Sequence, residues 1–110
     1  MNIQIFASKR NFDVQKAERY FKERRIPAQF IDISKKPMGR RELESVCAAV
    51  GLEALVKQSD DWEVSYILQA NKAEALDKLC ENQKLLNTPI VRNGKQATVG
   101  FCPEVWEGWK

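Results

Sequence analysis

The first polar loop of the chain combines the residue types that bind a small anion. Ser8, Lys9, Arg10 and Asn11 form this loop, after a stretch of alternating apolar and polar residues, Met1–Ala7. The alternation predicts a half-buried strand, and the helical spacing of the apolar residues after the loop predicts a helix. Unpaired amides and the positive end of the helix dipole point at such a loop. The loop is therefore a candidate site for phosphate, sulfate or another small anion, or for the carboxylate of a peptide. The alternative is a pair of solvated surface charges.

The start of the predicted helix is also the place where a redox protein would have its reactive cysteine. A cysteine beside a helix N-terminus would be a nucleophile of low pKa, but the chain has Asn11 there. Asn11 and Asp13 suit the N-cap and the first turn, because a short side-chain oxygen can accept hydrogen bonds from the unpaired amides. We expect Asn11 to act as a helix cap rather than as a recognition residue.

The chain has three cysteines, Cys47, Cys80 and Cys102, which are far apart and include no C-x-x-C pair. The pattern predicts reduced thiols in a cytoplasmic protein rather than a disulfide framework. Cys47 and Cys80 fall on apolar helical stripes, so we expect both in the core. Cys102 is the candidate reactive thiol, as a displaced redox group or a site of mixed-disulfide formation. A plain helix-cap position is the alternative for Cys102.

Composition excludes several function classes. The 110 residues are 44% hydrophobic and 30% charged, which is typical of one globular domain spanning 1–110. The absence of histidine excludes His-based catalysis and His-ligated metals, and we expect no metal site. The net charge of +3 is interspersed with acidic residues, so nucleic acid is not an expected partner. We also find no membrane-spanning run and no secretion signal, and therefore expect a cytoplasmic protein without a membrane partner.

The patterns along the chain predict the elements that position these residues. A helix over about 12–24 should end before Pro27, and a second strand should follow at Gln29–Ile33. A strand, a helix and a strand in so few residues make a right-handed βαβ unit with parallel strands. A helical insertion over about 37–86 comes next. Within it Trp62 and Tyr66 share one helical face, which we interpret as core rather than as a partner surface.

The last third of the chain returns to β structure. Asn93-Gly94 lies between the apolar stretches Pro89–Arg92 and Lys95–Val99, which is a strong hairpin signal. Pro103 suits the first position of a final helix. The apolar residues that we expect to bury this helix against the sheet are Val105, Trp106 and Trp109.

Four stretches of the sequence together resemble one protein family. They are Ile5–Asn11, Lys36-Pro37 with Arg40–Leu43, Leu85–Val91, and Asn93–Lys95 running through Val99-Gly100 to Pro103-Glu104. In this order and spacing they resemble the arsenate reductase (ArsC)-like family, which includes Spx-type regulators and small uncharacterised relatives. The resemblance implies an α/β, thioredoxin-like fold with a four-stranded mixed sheet. Its order would be βαβ, helical insertion, β-hairpin and C-terminal helix.

The resemblance also implies a site. It places a cis peptide bond at Thr88-Pro89, facing the loop that ends in Asn11. By position, Asn11 stands where the family has its cysteine, and Thr88 where an arginine usually precedes the proline. Phe101 stands where another arginine follows the glycine of the last strand, here Gly100. An amide cannot form the covalent arsenate adduct that a thiolate forms, so we do not expect family-type arsenate reduction.

The predicted function is therefore that of a family member without the catalytic cysteine, a non-enzymatic binding or regulatory module. The residues of its predicted cleft are Ser8, Lys9, Arg10, Asn11, Thr88, Pro89, Gly100 and Phe101. Its ligand would be a small anion, a thiol peptide or a protein partner, and Spx-type relatives, which bind RNA polymerase, give the last a precedent by analogy. The alternative is a glutathione-dependent thiol oxidoreductase of the arsenate reductase type that uses Cys102. Glutathione is the one cofactor considered, and the sequence leaves the oligomeric state open.

Overall fold

One mixed sheet of four strands runs through the part of the chain that the structure describes. The structure is a computed structural model, and it describes residues 2–8, 11–57 and 62–109. The strands are β1 (Ile3–Ala7), β2 (Ala28–Asp32), β3 (Ile90–Asn93) and β4 (Gln96–Val99), in the order β2-β1-β3-β4. β1 and β2 are parallel, whereas β3 is antiparallel to both β1 and β4. This is the predicted four-stranded mixed sheet of an α/β fold.

Six helices accompany the sheet within the described residues. They are α1 (Phe12–Glu23), α2 (Arg40–Val50), α3 (Leu52–Leu55), α4 (Trp62–Gln69), α5 (Lys72–Glu81) and α6 (Pro103–Trp106). A 3-10 turn, Gln83–Leu85, follows α5. The segment from α2 to this turn is the helical insertion between β2 and β3 that the sequence predicts. None of the described helices is long and apolar enough to cross a bilayer.

The two faces of the sheet pack against different parts of the chain. One face carries Ile3, Ile5 and Ala7 and packs against α1 and α6. We call it the aromatic face, because its core includes Tyr20, Phe21, Trp106 and Trp109. The other face carries Phe6, Ile31 and Ile90 and is covered by the insertion, so we call it the insertion face. Alternation of side chains along the strands separates the two sets, as the sequence pattern of β1 predicts.

The hairpin turn is shifted by one residue from the predicted position. Asn93 pairs with Gln96, so the two turn residues are Gly94 and Lys95 instead of Asn93 and Gly94. Gly94 has a φ of +63°. Outside the glycines, a positive φ is found in the described ranges at Arg25, which lies after α1 and not in the hairpin. Glycine with positive φ at the first of two turn residues is typical of a type II′ turn. Asn93 instead ends β3, and its side-chain amide donates to Gln96 Oε1 at 3.1 Å.

Three large apolar side chains that we expected in the core are exposed. Trp62 is 73% exposed and Tyr66 is 41% exposed, so the interpretation of this aromatic face of α4 as core is wrong. The reason is that α4 buries Val64 and Ile67 instead, which lie on another side of the helix. Val105 is 44% exposed, because the four-residue α6 turns its Trp106 toward the sheet.

Candidate functional site

Three loops meet at one edge of the sheet, beyond the end of β1. Because β3 is antiparallel to both of its neighbours, its start lies beside the end of β1 and the end of β4. The register therefore brings Ser8, Pro89 and Gly100 to the same edge. The Gly100 amide donates to the Pro89 carbonyl at 2.8 Å and joins two of the loops. We call this region, with the start of α1, the sheet edge.

The backbone at the sheet edge has two special conformations. The Thr88-Pro89 peptide bond is cis, with Pro89 buried and Thr88 half-buried. Gly100 has a φ of +86°, in the left-handed region that side chains with a Cβ rarely adopt. Glycine at this position lets the chain turn from β4 toward Phe101, whose side chain is 37% exposed.

Asn11 is the N-cap of α1, as the sequence predicts. Its side-chain Oδ1 accepts a hydrogen bond from the Val14 amide at 2.9 Å. The carbonyl of Asn11 accepts from the Gln15 amide at 3.0 Å and begins the helical hydrogen bonds. One of the otherwise unpaired amides of the helix start is thus satisfied by the protein itself. Lys9 and Arg10, the two cations of the predicted anion site, lie outside the described residues.

Aromatic rings and a cation flank the sheet edge on the side of α1. The Phe101 ring packs edge-on against Trp106, with 5.5 Å between centroids. Lys16 Nζ lies 5.7 Å from the centroid of the Phe101 ring. Phe12 is one helical turn before Lys16, on the same side of α1, and is 81% exposed. This arrangement offers an apolar surface beside a positive charge.

Cys102 has the environment of a helix-cap residue rather than of an activated nucleophile. It is the N-cap of α6, is half-buried, and its Sγ donates to the Val99 carbonyl at 3.4 Å. Burial raises the pKa of the Cys102 thiol, and the carboxylates of Glu104 and Asp13 raise it further, against a hydrogen bond with Thr98 that lowers it. A raised pKa leaves less thiolate at neutral pH, and the thiolate is the reactive form.

A groove beside Ser8 contains the thiol of Cys80, which we did not expect there. The cavity has a volume of about 220 Å³, and its lining includes Ser8, Ser34, Pro37, Cys80 and Gln83. Cys80 packs against the hydrophobic core but is only partly buried, so the expectation that it is a core residue is confirmed in part. It lies next to the last residue of α5, where the helix passes the border of the core. Burial is nevertheless the main cause that raises the pKa of the Cys80 thiol.

Comparison with known proteins identifies related chains. The sequence matches the ArsC family over residues 6–109. A comparison with the curated proteins finds no match. An ArsC family related protein from Bacteroides fragilis is 24% identical, with 100% of each chain covered and a TM-score of 0.83. The arsenate reductase from Vibrio cholerae is 21% identical, with 96% of this chain and 94% of that chain covered and a TM-score of 0.78.

A third solved structure extends the same likeness. An arsenate reductase (ArsC) related protein from Brucella melitensis is 19% identical, with 99% of this chain and 94% of that chain covered and a TM-score of 0.66. At these identities the solved structures establish the fold, and the function has to be argued from the site. The family match begins within β1 and runs through α1, β2 and the hairpin, so it includes the segments that form the sheet edge. The chain therefore belongs to the ArsC family and has its thioredoxin-like fold.

Proposed function

We propose that this protein is a non-enzymatic binding module of the ArsC family that takes its ligand at the sheet edge. The observation that carries the proposal is the capping bond of Asn11, whose Oδ1 accepts from the Val14 amide at 2.9 Å. By family resemblance this is the position of the catalytic cysteine. A carboxamide forms no covalent adduct with arsenate and no mixed disulfide with glutathione, so what remains for the site is binding.

The environment of Cys102 weighs against the alternative of a glutathione-dependent oxidoreductase. Such an enzyme needs a thiolate that attacks a disulfide or an oxidised substrate. The Cys102 thiol donates a hydrogen bond to the Val99 carbonyl and so keeps its proton, and burial raises the pKa of the thiol. Both features favour the protonated, unreactive form.

The surface around the sheet edge favours a peptide over an inorganic oxyanion. Phe12 and Phe101 expose apolar rings, from which an oxyanion gains nothing because apolar contact stabilises only apolar groups. Lys16 supplies a charge beside the Phe101 ring for a carboxylate of the peptide. The sequence adds Lys9 and Arg10 immediately before Asn11. A thiol peptide with carboxylates, or an acidic and apolar segment of a partner protein, fits these features.

A binding experiment tests the proposal directly. Titration of ¹⁵N-labelled protein with glutathione should shift the amide signals of Ser8, Asn11, Gly100 and Phe101, and arsenate should bind more weakly. The double variant Lys9→Ala/Arg10→Ala is the control for the role of charge. Unchanged binding in this variant would remove those cations from the site. If neither probe shifts any signal at the sheet edge, the proposal is wrong.

An activity assay separates the two function classes. With arsenate as substrate and glutathione as reductant, we expect no turnover above the uncatalysed rate. Cys102→Ser should behave like the unchanged protein. Turnover that disappears in Cys102→Ser would replace the binding module with the oxidoreductase.

A further inference from the structure

We propose a second binding site, a small polar pocket on the insertion face that takes an amino-acid-sized carboxylate through Arg92. The site is independent of the sheet edge. Gln4, at its centre, precedes Ser8 by four residues along an extended chain, which corresponds to about 13 Å. The proposal starts from an interruption in the apolar pattern of the sheet.

A row of polar side chains crosses the insertion face. In the strand register Gln4 lies beside Gln29 on β2 and beside Arg92 on β3. The next row of the same face, one pleat further along, is Ile31, Phe6 and Ile90, which belongs to the hydrophobic core. Within the row Gln29 is exposed, whereas Gln4 and Arg92 are partly buried. Partly buried polar groups cost free energy unless hydrogen bonds satisfy them, so the partners of Gln4 and Arg92 decide how this row is stabilised.

A pocket opens above the polar row. Its volume is about 150 Å³, well above the ~10–15 Å³ that a cavity needs to hold one water molecule. The polar residues of its lining are Gln4, Gln29, Lys36 and Glu42. Phe6 and Ile31 contribute apolar surface. The pocket thus has the size of a small metabolite and contains polar groups that converge from two strands and the start of α2.

Arg92 adjoins this pocket with unused hydrogen-bonding capacity. Its side chain is 18% exposed, and Nη1 lies 3.4 Å from Gln4 Oε1 and 3.5 Å from Glu42 Oε2, two residues that line the pocket. Both distances are long for charge-assisted hydrogen bonds. The Nε of Arg92 is buried and has no hydrogen-bond partner in the part of the chain that the structure describes. Glu42 is held by the Gly39 amide, which donates to its Oε1 at 2.9 Å, and its Oε2 lies near Nη1 of Arg92, which leaves Nε without a partner among the described residues.

These groups select a ligand by charge and geometry. A guanidinium binds a carboxylate with two parallel hydrogen bonds, and Lys36 adds a second positive charge at the pocket. Glu42 would repel a second carboxylate but attract an ammonium group. Gln4 and Gln29 can both donate to and accept from further polar groups. A molecule with one carboxylate and one ammonium or amide group fits best.

The test uses the full chain and three probes, L-glutamine, L-glutamate and acetate. We expect L-glutamine to shift the Arg92 Nε–H signal and the side-chain amide signals of Gln4 and Gln29 in an NMR titration. Acetate should bind more weakly because it lacks the second group, and L-glutamate because it adds a second negative charge near Glu42. A pocket that is filled only with water would leave all three signals unchanged at tens of millimolar of every probe, and the proposal would then fail.

Two variants and one control decide the role of Arg92. Arg92→Met should weaken L-glutamine binding by about tenfold or more, since a hydrogen bond to a charged group contributes on that scale. Arg92→Lys keeps the charge but not the paired geometry and should bind with intermediate affinity, which guards against a folding defect in Arg92→Met. Lys95→Met, in the exposed hairpin turn, removes a charge elsewhere and should change nothing. Equal affinity in Arg92→Met and Lys95→Met would overturn the proposal, whatever the sheet edge binds.

Discussion

The aromatic face of the sheet is closed by interlocking rings, whereas the insertion face is closed mainly by aliphatic side chains. On the aromatic face the ring centroids of Tyr20, Phe21 and Trp106 lie 5.0–5.1 Å apart. Trp106 Nε1 also donates to the buried Thr98 Oγ1 at 2.8 Å. Among the buried residues of the insertion face, Phe6 is the one aromatic side chain in the described ranges. Rings and a buried hydrogen bond fix α1, α6 and β4 relative to one another.

The difference teaches which face positions which site. The sheet edge depends on the aromatic face, because Asn11 begins α1 and Phe101 rests on Trp106. The insertion face instead carries the groove with Cys80 and the pocket beside Arg92. A change in the packing of one face should therefore affect one site and spare the other.

Core truncations on the two faces should give the largest effects. Trp106→Ala should lower the free energy of unfolding by about 3–5 kcal/mol, and Leu79→Ala on the insertion face by about 2–5 kcal/mol. Only Trp106→Ala removes the surface on which the Phe101 ring packs, so only this variant should disturb the sheet-edge signals and weaken glutathione binding. Urea unfolding and the NMR titration measure the two effects. An equal disturbance of Phe101 by Leu79→Ala would show that the faces are coupled.

The two asparagine caps allow a finer comparison. Asn11 accepts from the Val14 amide and Asn71 from the Glu74 amide, both at 2.9 Å. Asn11→Ala and Asn71→Ala should each lower the free energy of unfolding by about 1 kcal/mol, and aspartate at either position should restore most of it. Only the change at Asn11 should alter ligand binding at the sheet edge. If Asn71→Ala alters that binding as much, the proposed site is not local to α1.

Local sequence signals predicted the elements and the cap of α1. Three of these features depend only on neighbouring residues, so the sequence shows them directly. They are the alternation in β1, the end of the first helix before Pro27 and the hairpin glycine. The face of α4 could not be predicted in this way. Helical spacing shows that Trp62 and Tyr66 lie on one side, but it does not show that Val64 and Ile67 would meet the core instead. The packing partner makes that choice.

The parts of the candidate sites that depend on strand register were not predictable. Gln29, Gln4 and Arg92 form a row across the strands β2, β1 and β3. Arg92 on β3 lies about 60 residues after Gln29 on β2 in the sequence, so only the strand register brings them together. Read singly, each residue looks like the solvated side of a strand. Cys80 was assigned to the core by its apolar stripe, yet it also lines the same groove as Ser8. The anion-binding role of Lys9 and Arg10 stays a prediction, because both residues lie outside the described part of the chain.

Thiol reactivity gives a smaller effect that distinguishes the two half-buried cysteines from an activated one. Burial raises the pKa of both Cys80 and Cys102. The folded chain therefore holds these protons to higher pH than the unfolded chain, and ionisation above the unfolded pKa reduces stability. The rate of alkylation by iodoacetamide should be low at pH 7. As the pH is raised, this rate should begin to increase at a higher pH in the folded protein than in urea-unfolded protein. Rates in Cys80→Ser and Cys102→Ser assign the phases, and a fast phase at pH 7 that Cys102→Ser abolishes would favour the oxidoreductase.

The smallest expected effect lies at the end of β2, beside the groove on the insertion face. The Asp32 carboxylate accepts from Ser34 Oγ at 2.5 Å and from the Ser34 amide at 2.9 Å, and these bonds lower the pKa of Asp32. The stabilisation from these bonds is present above the unfolded pKa of Asp32 and is lost as the pH falls through its lowered folded pKa.

Ser34→Ala should move the pKa of Asp32 up toward its ordinary value, and NMR titration of the carboxyl carbon would measure this change. Wild type and variant should differ in stability at neutral pH and converge in acid, because the carboxylate that accepts these bonds is then protonated in both. An unchanged pKa in Ser34→Ala would show that the hydroxyl does not hold the carboxylate. It would leave the backbone amides of Ser34 and Lys35 and the charge of Lys35 as the causes of the lowered pKa.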